Sequence, residues 1–359
     1  MSQDTPVLLP SNLSSLTIGV DLGDRTSRIC ELDAAGRCVR EGTVATTEVA
    51  MRRYLAGRPR CRVVFETCTH SPWLARLVAA LGHEVVVANP SAMFTRGARR
   101  RRNDALDAQF LARQGRADVA LLHPITHRSA AAQCDLAQVR ARDQLVKTRT
   151  LLINHVRGAV KAVGQRLSGC SAESFARRAR GELPAALVPA LLPLVEVIEV
   201  LTQRIRAADR ALAQLIAERY PVAARLQQPA GVGTLTALAF VLLIDDPTRF
   251  RRSRDAGAYF GLVPRLDESS TATPQLRISK AGDGLGRRLL VSAAQYILGP
   301  FGPPCDLRRH GQAIAQRGGK NAKKRAVVAV ARKLAVLLHH LWVTGAAYDP
   351  DYLLHRRAA

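Results

Sequence analysis

The sequence predicts an N-terminal α/β domain followed by regions that are mainly helical. Short apolar segments rich in β-branched residues, separated by tight turns, occupy residues 16–88. Helical periodicity replaces them from about residue 135, and a heptad pattern follows. Because 47% of the 359 residues are hydrophobic, the chain can bury sizeable cores and is long enough for two or three domains.

Five strands and a helix predict the arrangement of the first domain. The strands are expected at residues 16–20, 28–32, 38–43, 61–65 and 84–88. A helix is expected at residues 71–81, because Pro72 lies in its first turn and Gly82 follows its end. The order of a hairpin, a strand, a helix, a strand and a helix is that of an RNase H-like α/β domain.

The charge indicates a polyanionic partner. The chain contains 53 Lys and Arg against 29 Asp and Glu, a net charge of +24. The most apolar stretch, residues 183–201, contains prolines and two glutamates, which argues against a membrane span. Nucleic acid is therefore the expected partner, and no membrane partner is expected.

Cysteine usage predicts the compartment. The seven cysteines are odd in number and include no CxxC pair, so we expect reduced thiols with neither a disulfide framework nor a zinc site. The first residues also lack the basic region and apolar core of a signal peptide. Both observations predict a cytoplasmic protein.

Four acids form the first candidate site. Asp21 and Glu66 each follow a predicted strand, and Asp104 and Asp107 lie three residues apart on a predicted helix. Carboxylate oxygens suit Mg²⁺, and two such ions can bind the attacking and leaving oxygens of a phosphodiester. Each acid alone is more typical of a turn or a helix cap. The ordered set in this strand order favours a catalytic magnesium site.

A heptad pattern follows the first domain. Apolar residues step by four and three along one segment: Leu194, Ile198, Leu201, Ile205, Ala208, Leu212 and Leu215. This spacing predicts a coiled-coil seam, in which a hairpin stalk also makes dimer contacts. The alternative is one amphipathic helix that packs on its own domain.

Two further motifs lie in the C-terminal third. Gly231 and Gly233 precede an apolar helix, where backbone N–H groups can approach a phosphate, although a tight interhelical turn explains them equally well. Several serines then lie among Arg265, Arg277 and Lys280. A serine nucleophile needs cationic neighbours for its phosphate target. Composition alone favours turn residues and a solvated basic face.

The combined motifs resemble those of insertion-sequence-110 transposases, the DEDD recombinases guided by a structured bridge RNA. The matching N-terminal pieces are IGVD ending at Asp21, VVFE ending at Glu66, VVVANP at residues 85–90 and NDALDA at residues 103–108. The C-terminal pieces are AGVG, FGLVPR, the Glu268-Ser269 pair and RISKAGD. The resemblance covers about residues 16–345. It departs at Asn103, where the family usually has a basic residue, and at Ala230, where proline is more frequent.

The resemblance implies three domains: a RuvC-like DEDD domain at residues 16–130, a helical coiled-coil linker at 131–225 and a mainly helical transposase domain at 226–347. It implies that Ser269 attacks DNA to form a phosphoserine link, or Ser270 or Ser279 if the register differs. It also implies assembly as a dimer to tetramer, in which the acids of one subunit meet the serine of another. Donor DNA, target DNA and a guide RNA would be the partners, at the bacterial nucleoid.

The remaining expectations concern binding residues and competing functions. Candidate nucleic-acid contacts are Arg99, Arg100, Arg101, Arg102, Gly231, Gly233, Arg265, Arg277, Lys280, Lys323 and Lys324. The first competing function is a RuvC-like, metal-dependent nuclease of the junction-resolvase type, which needs no serine. The second is a basic scaffold that binds nucleic acid without catalysis.

Overall fold

A computed structural model describes residues 16–90, 103–265 and 276–358 of the chain. The chain divides into two compact units, an N-terminal unit within Met1–His127 and a C-terminal unit within Arg128–Ala359. A mixed sheet lies in the first unit, and the second is helical. The prediction of an α/β region followed by an α region is confirmed.

The N-terminal unit is built on a five-stranded sheet. Its strands are β1 (Thr17–Asp21), β2 (Thr26–Leu32), β3 (Cys38–Ala45), β4 (Arg62–Glu66) and β5 (Glu84–Ala88). Their order is β3-β2-β1-β4-β5. Strand β2 is antiparallel to β1 and β3, whereas β4 is parallel to β1 and β5. Its described residues also form three α-helices: α1 (Glu48–Ala56), α2 (Ser71–Ala80) and α3 (Asp104–Ala117).

The two faces of the sheet bury different residues because side chains alternate along each strand. Ile18 and Val20 of β1 belong to one core, together with Val63 and Phe65 of β4 and apolar residues of α1 and α2. Residues in the intervening positions face α3. Val64 packs with Leu111 in a second core on that face. The same alternation determines which face of the sheet the acids at the strand ends project from.

Helix α3 lies very close to the sheet at Gly19. A Cβ atom on this glycine would overlap the carbonyl oxygen of Ala108 and lie 2.5 Å from the backbone nitrogen of Ala112. Gly115, farther along α3, is similarly close to the side chain of Val64. These glycines allow the helix backbone to pack directly on the two central strands.

The C-terminal unit consists of ten helices in the described residues. They are α4 (Ala130–Ala162), α5 (Phe175–Glu182), α6 (Val188–Arg219), α7 (Pro221–Arg225), α8 (Thr234–Ile244), α9 (Asp255–Tyr259), α10 (Gly284–Leu298), α11 (Asp306–Gln316), α12 (Ala322–Thr344) and α13 (Tyr352–Ala358). Helix α8 is apolar along almost its whole length and is the buried centre of the main core. Helices α10 and α12 contribute apolar faces to the same core.

Helices α4 and α6 form an antiparallel pair. Near one end, Arg219 Nη1 lies 2.9 Å from Asp135 Oδ2, and farther along Arg142 Nε lies 2.8 Å from Asp209 Oδ1. The predicted heptad residues lie on α6, where Ile198, Ile205, Leu212 and Leu215 are buried and Leu194, Leu201 and Ala208 are partly buried. This side of α6 therefore packs within the chain, and a coiled coil between chains stays a prediction.

Two helical stretches, Ala185–Arg219 and Ala322–Thr344, are long and apolar enough to cross a membrane by length and composition. This is weak evidence, because core helices of soluble proteins meet the same criteria. Both contribute buried residues to the cores of the C-terminal unit, including Leu212 on α6 and Leu334 on α12.

Candidate active site and nucleic-acid interface

Asp21 and Glu66 occupy equivalent ends of neighbouring strands. Val20 of β1 pairs with Phe65 of β4 in parallel register, so the acids that follow them lie side by side at the carboxyl edge. Gly19 and Val64, two residues earlier in each strand, both face α3. Because side chains two residues apart share a face, both acids project toward the α3 side of the sheet.

Helix α3 brings the other two acids to the same edge. Its C-terminal part lies over the start of β4, where Arg62 Nη1 donates a 2.6 Å hydrogen bond to the carbonyl oxygen of Gly115. Ala108, near its start, lies over Gly19. The helix thus runs opposite to β1 and β4. Its first turn, with Asp104 and Asp107, lies at the strand ends.

Asn103 fixes the beginning of this helix. Its side-chain oxygen accepts a 3.0 Å hydrogen bond from the backbone nitrogen of Ala105, and its backbone is extended. The cap places Asp104 and Asp107 in the first turn, where a helix favours negative charge. The residue that departs from the family pattern therefore has a structural function here.

The four acids have the chemistry of a site for hard divalent cations. All their donors are carboxylate oxygens, which Mg²⁺ prefers, and Asp104 is exposed while the other three are partly buried. In the part of the chain that the structure describes, they form no group of three ligands within 4.8 Å of one another. The elements bring the acids to one edge, and closer approach requires adjustment of their side chains.

Two short backbone segments, which pair with each other, flank the predicted serine segment. Ser269 and Ser270 lie outside the described residues. On either side, the backbone nitrogen of Arg265 donates to the carbonyl oxygen of Arg277 at 2.9 Å, and Ser279 donates to Val263 at 2.8 Å. These bonds join two arms, residues 261–265 and 277–280, which precede and follow the serine segment in sequence.

Ser279, the third candidate nucleophile, lies on one of these arms. Its hydroxyl oxygen is 3.4 Å from the backbone nitrogen of Ala281, from which it accepts a hydrogen bond. The adjacent turn depends on Gly261 (φ +64°), because a Cβ atom there would lie 2.5 Å from the nitrogen of Ala281. Ser279 therefore belongs to a tightly built turn.

A groove of about 1620 Å³ in the C-terminal unit begins at the same arms. Pro264, Arg277 and Lys280 line it together with residues of α11 and α12. Its cationic lining residues are Arg254, Arg277, Lys280, Arg317, Lys324, Arg325, Arg332 and Lys333. The groove has the charge and position of a phosphate-binding surface.

The acids of the groove do not neutralise these cations. Asp306 pairs with Arg309 at 2.7 Å, and Asp349 lies 2.8 Å from His355. Among the described residues, neither Arg277 nor Arg332 forms an ion pair with an acid. A surplus of positive charge therefore remains along the groove.

His310 reports the electrostatic environment of the groove. Its pKa lies below the ordinary value because of burial, and the positive charges of Lys333 and Arg317 lower it further. All three side chains line the groove. The neutral imidazole is therefore the favoured form beside these cations.

The predicted nucleic-acid contacts have different outcomes. Arg99, Arg100, Arg101 and Arg102 lie outside the described residues. Arg277, Lys280 and Lys324 line the groove, while the side chains of Arg265 and Lys323 are exposed nearby in sequence but do not line it.

Packing accounts for one of the two predicted glycines. Gly231 has a φ of +80°, and a Cβ atom there would lie 2.7 Å from the carbonyl oxygen of Ala293 on α10. Gly233 caps α8, is exposed and has open space around its Cα atom. Of the pair, Gly233 alone is unexplained by close packing.

Sequence reasoning missed four cations of the groove: Arg254, Arg317, Arg332 and Lys333. One of them follows a detectable signal, because Arg332 lies seven residues after Arg325 and therefore on the same face of α12. Arg254 and Arg317 lie at the ends of other elements and become neighbours only in the folded chain.

Comparisons with known proteins agree with both candidate regions. A model for the DEDD transposases of IS110, described as "Transposase", matches residues 18–164. A second, described as "Transposase IS116/IS110/IS902 family", matches residues 223–304. The transposase for insertion sequence element IS1328 of Yersinia enterocolitica is 30% identical over 78% of this chain and 83% of its own length. The chain belongs to the IS110 family of transposases.

Two further relatives extend over most of this IS110-family transposase. The transposase for IS1111A of Coxiella burnetii is 29% identical over 89% of this chain and 88% of its own length. A probable family 20 transposase of Pseudomonas aeruginosa is 29% identical over 93% of this chain and 98% of its own. The protein is therefore an enzyme, a DNA transposase of an insertion sequence.

The two family matches fall on different candidate regions of this transposase. The first includes all four acids, and DEDD transposases typically use divalent metal ions. The second includes the serine segment and both of its arms. The wall of the groove formed by α12 lies beyond both matched regions.

Proposed function

We propose that this transposase cuts and rejoins DNA through a covalent link to Ser269, with Mg²⁺ held by Asp21, Glu66, Asp104 and Asp107. The main support is the position of α3, whose first turn lies at the carboxyl ends of β1 and β4. Three separate segments thereby present carboxylates to one edge of the sheet. Such convergence suits a cation site better than four independent turns or caps.

The proposed chemistry is a transesterification. The Ser269 oxygen forms a bond to a DNA phosphorus, and the bond from that phosphorus to a sugar oxygen breaks. The serine gives up its proton, and the leaving sugar oxygen takes one up. Bound Mg²⁺ supplies positive charge that stabilises the developing negative charge on phosphate and serine oxygens. Attack by a free sugar hydroxyl on the phosphoserine then rejoins DNA without net hydrolysis.

The basic groove supports the placement of DNA beside the serine segment. Its lining includes Arg277 and Lys280, which follow the serine segment in sequence, and the cations of α12. Cations that contact phosphates position a nucleic acid without reading its sequence. In this proposal the groove holds the DNA backbone, and pairing with a guide RNA selects the target.

The finer architecture belongs to the same proposal. A central β1, an antiparallel β2 and an acid at the end of β1 support a RuvC-like N-terminal domain at residues 16–130. Residues 131–225 would form a stalk with coiled-coil contacts between copies, and residues 226–347 the transposase domain. A dimer to tetramer would let the acids of one copy meet the serine of another at the nucleoid.

Covalent trapping tests this proposal. Purified protein, RNA derived from the flanking element, labelled donor and target DNA, and Mg²⁺ would be incubated and separated on denaturing gels. A protein–DNA adduct is expected for the native chain and is expected to disappear in Ser269→Ala and in Asp21→Asn. Ser270→Ala is the matched control and should retain the adduct.

The competing nuclease gives a different pattern in the same assay. Cut strands without an adduct, unaffected by Ser269→Ala but lost in Asp21→Asn, would replace the proposal with a metal-dependent nuclease. An adduct that survives Ser269→Ala and is lost in Ser270→Ala would move the nucleophile by one position. Cleavage unaffected by Asp21→Asn would remove the acids from the reaction.

A further inference from the structure

Two cysteines and a glutamate meet on the outer hairpin of the N-terminal sheet. Cys30 of β2 and Cys38 of β3 have their sulfur atoms 3.7 Å apart. Together with a carboxylate oxygen of Glu41, their ligand atoms all lie within 4.8 Å of one another. The catalytic proposal uses none of these three residues.

A β-bulge brings the three side chains to one face. Cys30 pairs with Glu41, but the register shifts between Glu31 and Leu32, so that Leu32 pairs with Cys38. Residues directly opposite in an antiparallel pair share a face, as do residues two apart in one strand. Without the shift, Val39 would stand opposite Leu32, and Cys38 would point to the other face.

The geometry fits a tetrahedral metal ion. Zn²⁺ binds cysteine sulfur at about 2.3 Å, so two sulfurs at adjacent corners of a tetrahedron are about 3.8 Å apart. The observed 3.7 Å separation is close to that edge. A disulfide, by contrast, requires about 2.05 Å between the sulfurs.

We propose that Cys30, Cys38 and Glu41 form a binding site for a thiophilic divalent cation of the Zn²⁺ class. Thiolates select borderline-soft ions, whereas the all-carboxylate set of the catalytic edge suits Mg²⁺. Cys38 and Glu41 are exposed, so the ion can enter from solvent and keep water as its fourth ligand.

The surroundings of Cys30 determine the proton and charge balance of metal binding. Burial, followed by the interaction with Cys38, raises the pKa of the Cys30 thiol to about 12, so the free site keeps its proton at neutral pH. A bound cation deprotonates a coordinating thiol, so binding releases protons. Two thiolates and a carboxylate give the complex a net negative charge, and the nearby positive charge of Arg113 compensates it.

The bound ion would connect the two outer strands of the sheet across the bulge. Cys30 also packs with Leu32, Ala108 and Ala112, and the last two belong to α3. The ion would therefore stabilise the hairpin beside the helix that contains Asp104 and Asp107. Like other ligands that bind only the native state, the ion is expected to raise the free energy of unfolding.

Cobalt substitution of the full-length protein tests this site. Metal-free protein would be titrated anaerobically with Co²⁺, and the absorption bands of tetrahedral cobalt and of thiolate-to-cobalt charge transfer would be recorded. One equivalent of Co²⁺ should produce both bands, and Zn²⁺ should displace them. A carboxylate site gives no thiolate band, so the catalytic edge does not contribute to this signal.

Cys38→Ser is the decisive variant, because Cys38 is exposed on an edge strand and its loss should leave the fold intact. It should remove the charge-transfer band or weaken Co²⁺ binding by at least about tenfold. Glu41→Gln should weaken binding while the band remains. Cys134→Ser, at an exposed cysteine on α4, is the matched control and should bind like the native chain.

Three outcomes would overturn the site. These are an absence of thiolate bands in the reduced native chain, bands unchanged in Cys38→Ser, or bands lost in Cys134→Ser. A count of free thiols tests for a disulfide. If the untreated native protein has two fewer free thiols than the reduced protein, and untreated Cys38→Ser shows no such difference, the pair forms a disulfide in place of a metal site.

Discussion

The candidate catalytic edge of the N-terminal unit and the basic groove of the C-terminal unit are assembled in different ways. Asp21 and Glu66 end two adjacent parallel strands, so backbone pairing alone places them together. The cations of the groove lie on α12, next to the ends of α9 and α11, and on one arm of the serine segment, at positions from 254 to 333. The edge depends on local register, and the groove depends on tertiary packing.

This difference predicts that the two regions fail in different ways. We expect a change at the edge to abolish cleavage and to leave nucleic-acid affinity intact, because the proposed metal site acts only on the reacting phosphate. A change in the groove weakens binding by a small step, because each cation contributes one of many phosphate contacts.

The largest expected effect concerns the acids. Glu66→Gln and Asp107→Asn should each lower the rate of strand cleavage by about a thousandfold or more, because each would remove a charged ligand of the proposed metal site. DNA affinity, measured by filter binding, should change little. Single-turnover cleavage at several Mg²⁺ concentrations provides the rate.

Asp24→Asn is the control for these acids. Asp24 is almost fully exposed and lies only three residues after Asp21, so it matches the site in charge and in sequence position. Its substitution should leave cleavage within a few-fold of the native rate. Equal losses in Asp24→Asn and Glu66→Gln would indicate a general electrostatic effect and would contradict a metal site.

The second prediction concerns the close contact that positions α3. Gly19→Ala should destabilise the N-terminal unit by about 1–3 kcal/mol, because the added carbon overlaps the backbone of α3 at Ala108. Gly42→Ala, in β3, is the matched control, since a Cβ atom there meets nothing within 4 Å. Thermal unfolding followed by circular dichroism measures both, and equal stability of the two variants would disprove the close contact.

The third prediction addresses the groove. Arg277→Ala and Arg332→Ala should each weaken DNA binding and lower the slope of log affinity against log salt by about 0.9. Arg52→Ala is the control, because Arg52 is an exposed cation of α1 that already pairs with Glu48 at 2.8 Å. An unchanged salt slope in both groove variants would mean that DNA does not follow this surface.

The smallest effect is expected at His310. Because burial, Lys333 and Arg317 lower its pKa in the free protein, phosphate bound among these cations should raise that pKa again. Binding then takes up a proton, so DNA affinity should increase as the pH falls below 6.5, by about tenfold for each unit that the pKa rises.

His310→Gln should remove this pH dependence, whereas His155→Gln, at an exposed histidine of α4, should preserve it. Fluorescence anisotropy gives the affinities. It would be measured between pH 5.5 and 7.5, roughly one unit on either side of an ordinary histidine pKa. An unchanged or steeper pH dependence in His310→Gln would contradict the assignment.

Much of the N-terminal unit follows from its sequence, for a physical reason. Its strands are short, apolar and bounded by turns, so all five predicted segments are strands in the structure, and the two predicted helices are α2 and α3. Helix α1 was not predicted. Its nine residues bury only Met51 and Leu55, which is too weak a period to detect without the sheet beneath it.

The remaining features depend on contacts that residue spacing does not encode. The cysteine pattern predicts no metal site, and yet Cys30 and Cys38 meet because a bulge shifts the register of one hairpin. Gly231 fits a phosphate-binding turn equally well until the backbone of α10 is placed against it. The groove likewise requires Arg254 and Arg332 to become neighbours through α9 and α12.

The α4–α6 pair has one more consequence, which concerns cooperativity. At about 1.5 Å per residue, the 33 residues of α4 extend for about 50 Å. The apolar residues at its two ends belong to separate cores, one that includes Leu136 and one that includes Val156. Between them the buried side chains are mostly polar, with Arg149 donating to Thr202 at 3.3 Å and to Glu173 at 3.0 Å.

A long helical hairpin with an apolar core at each end and polar buried residues between them should not unfold in a single cooperative step. The far end, which includes α5, has its own small core and can open while the base remains folded. Its amide hydrogens should therefore exchange with solvent at a lower free energy than those of α8, which lies in the centre of the larger core. The polar layer between the two cores limits their coupling, so the tip of the hairpin can unfold or become ordered without changing the packing around the groove.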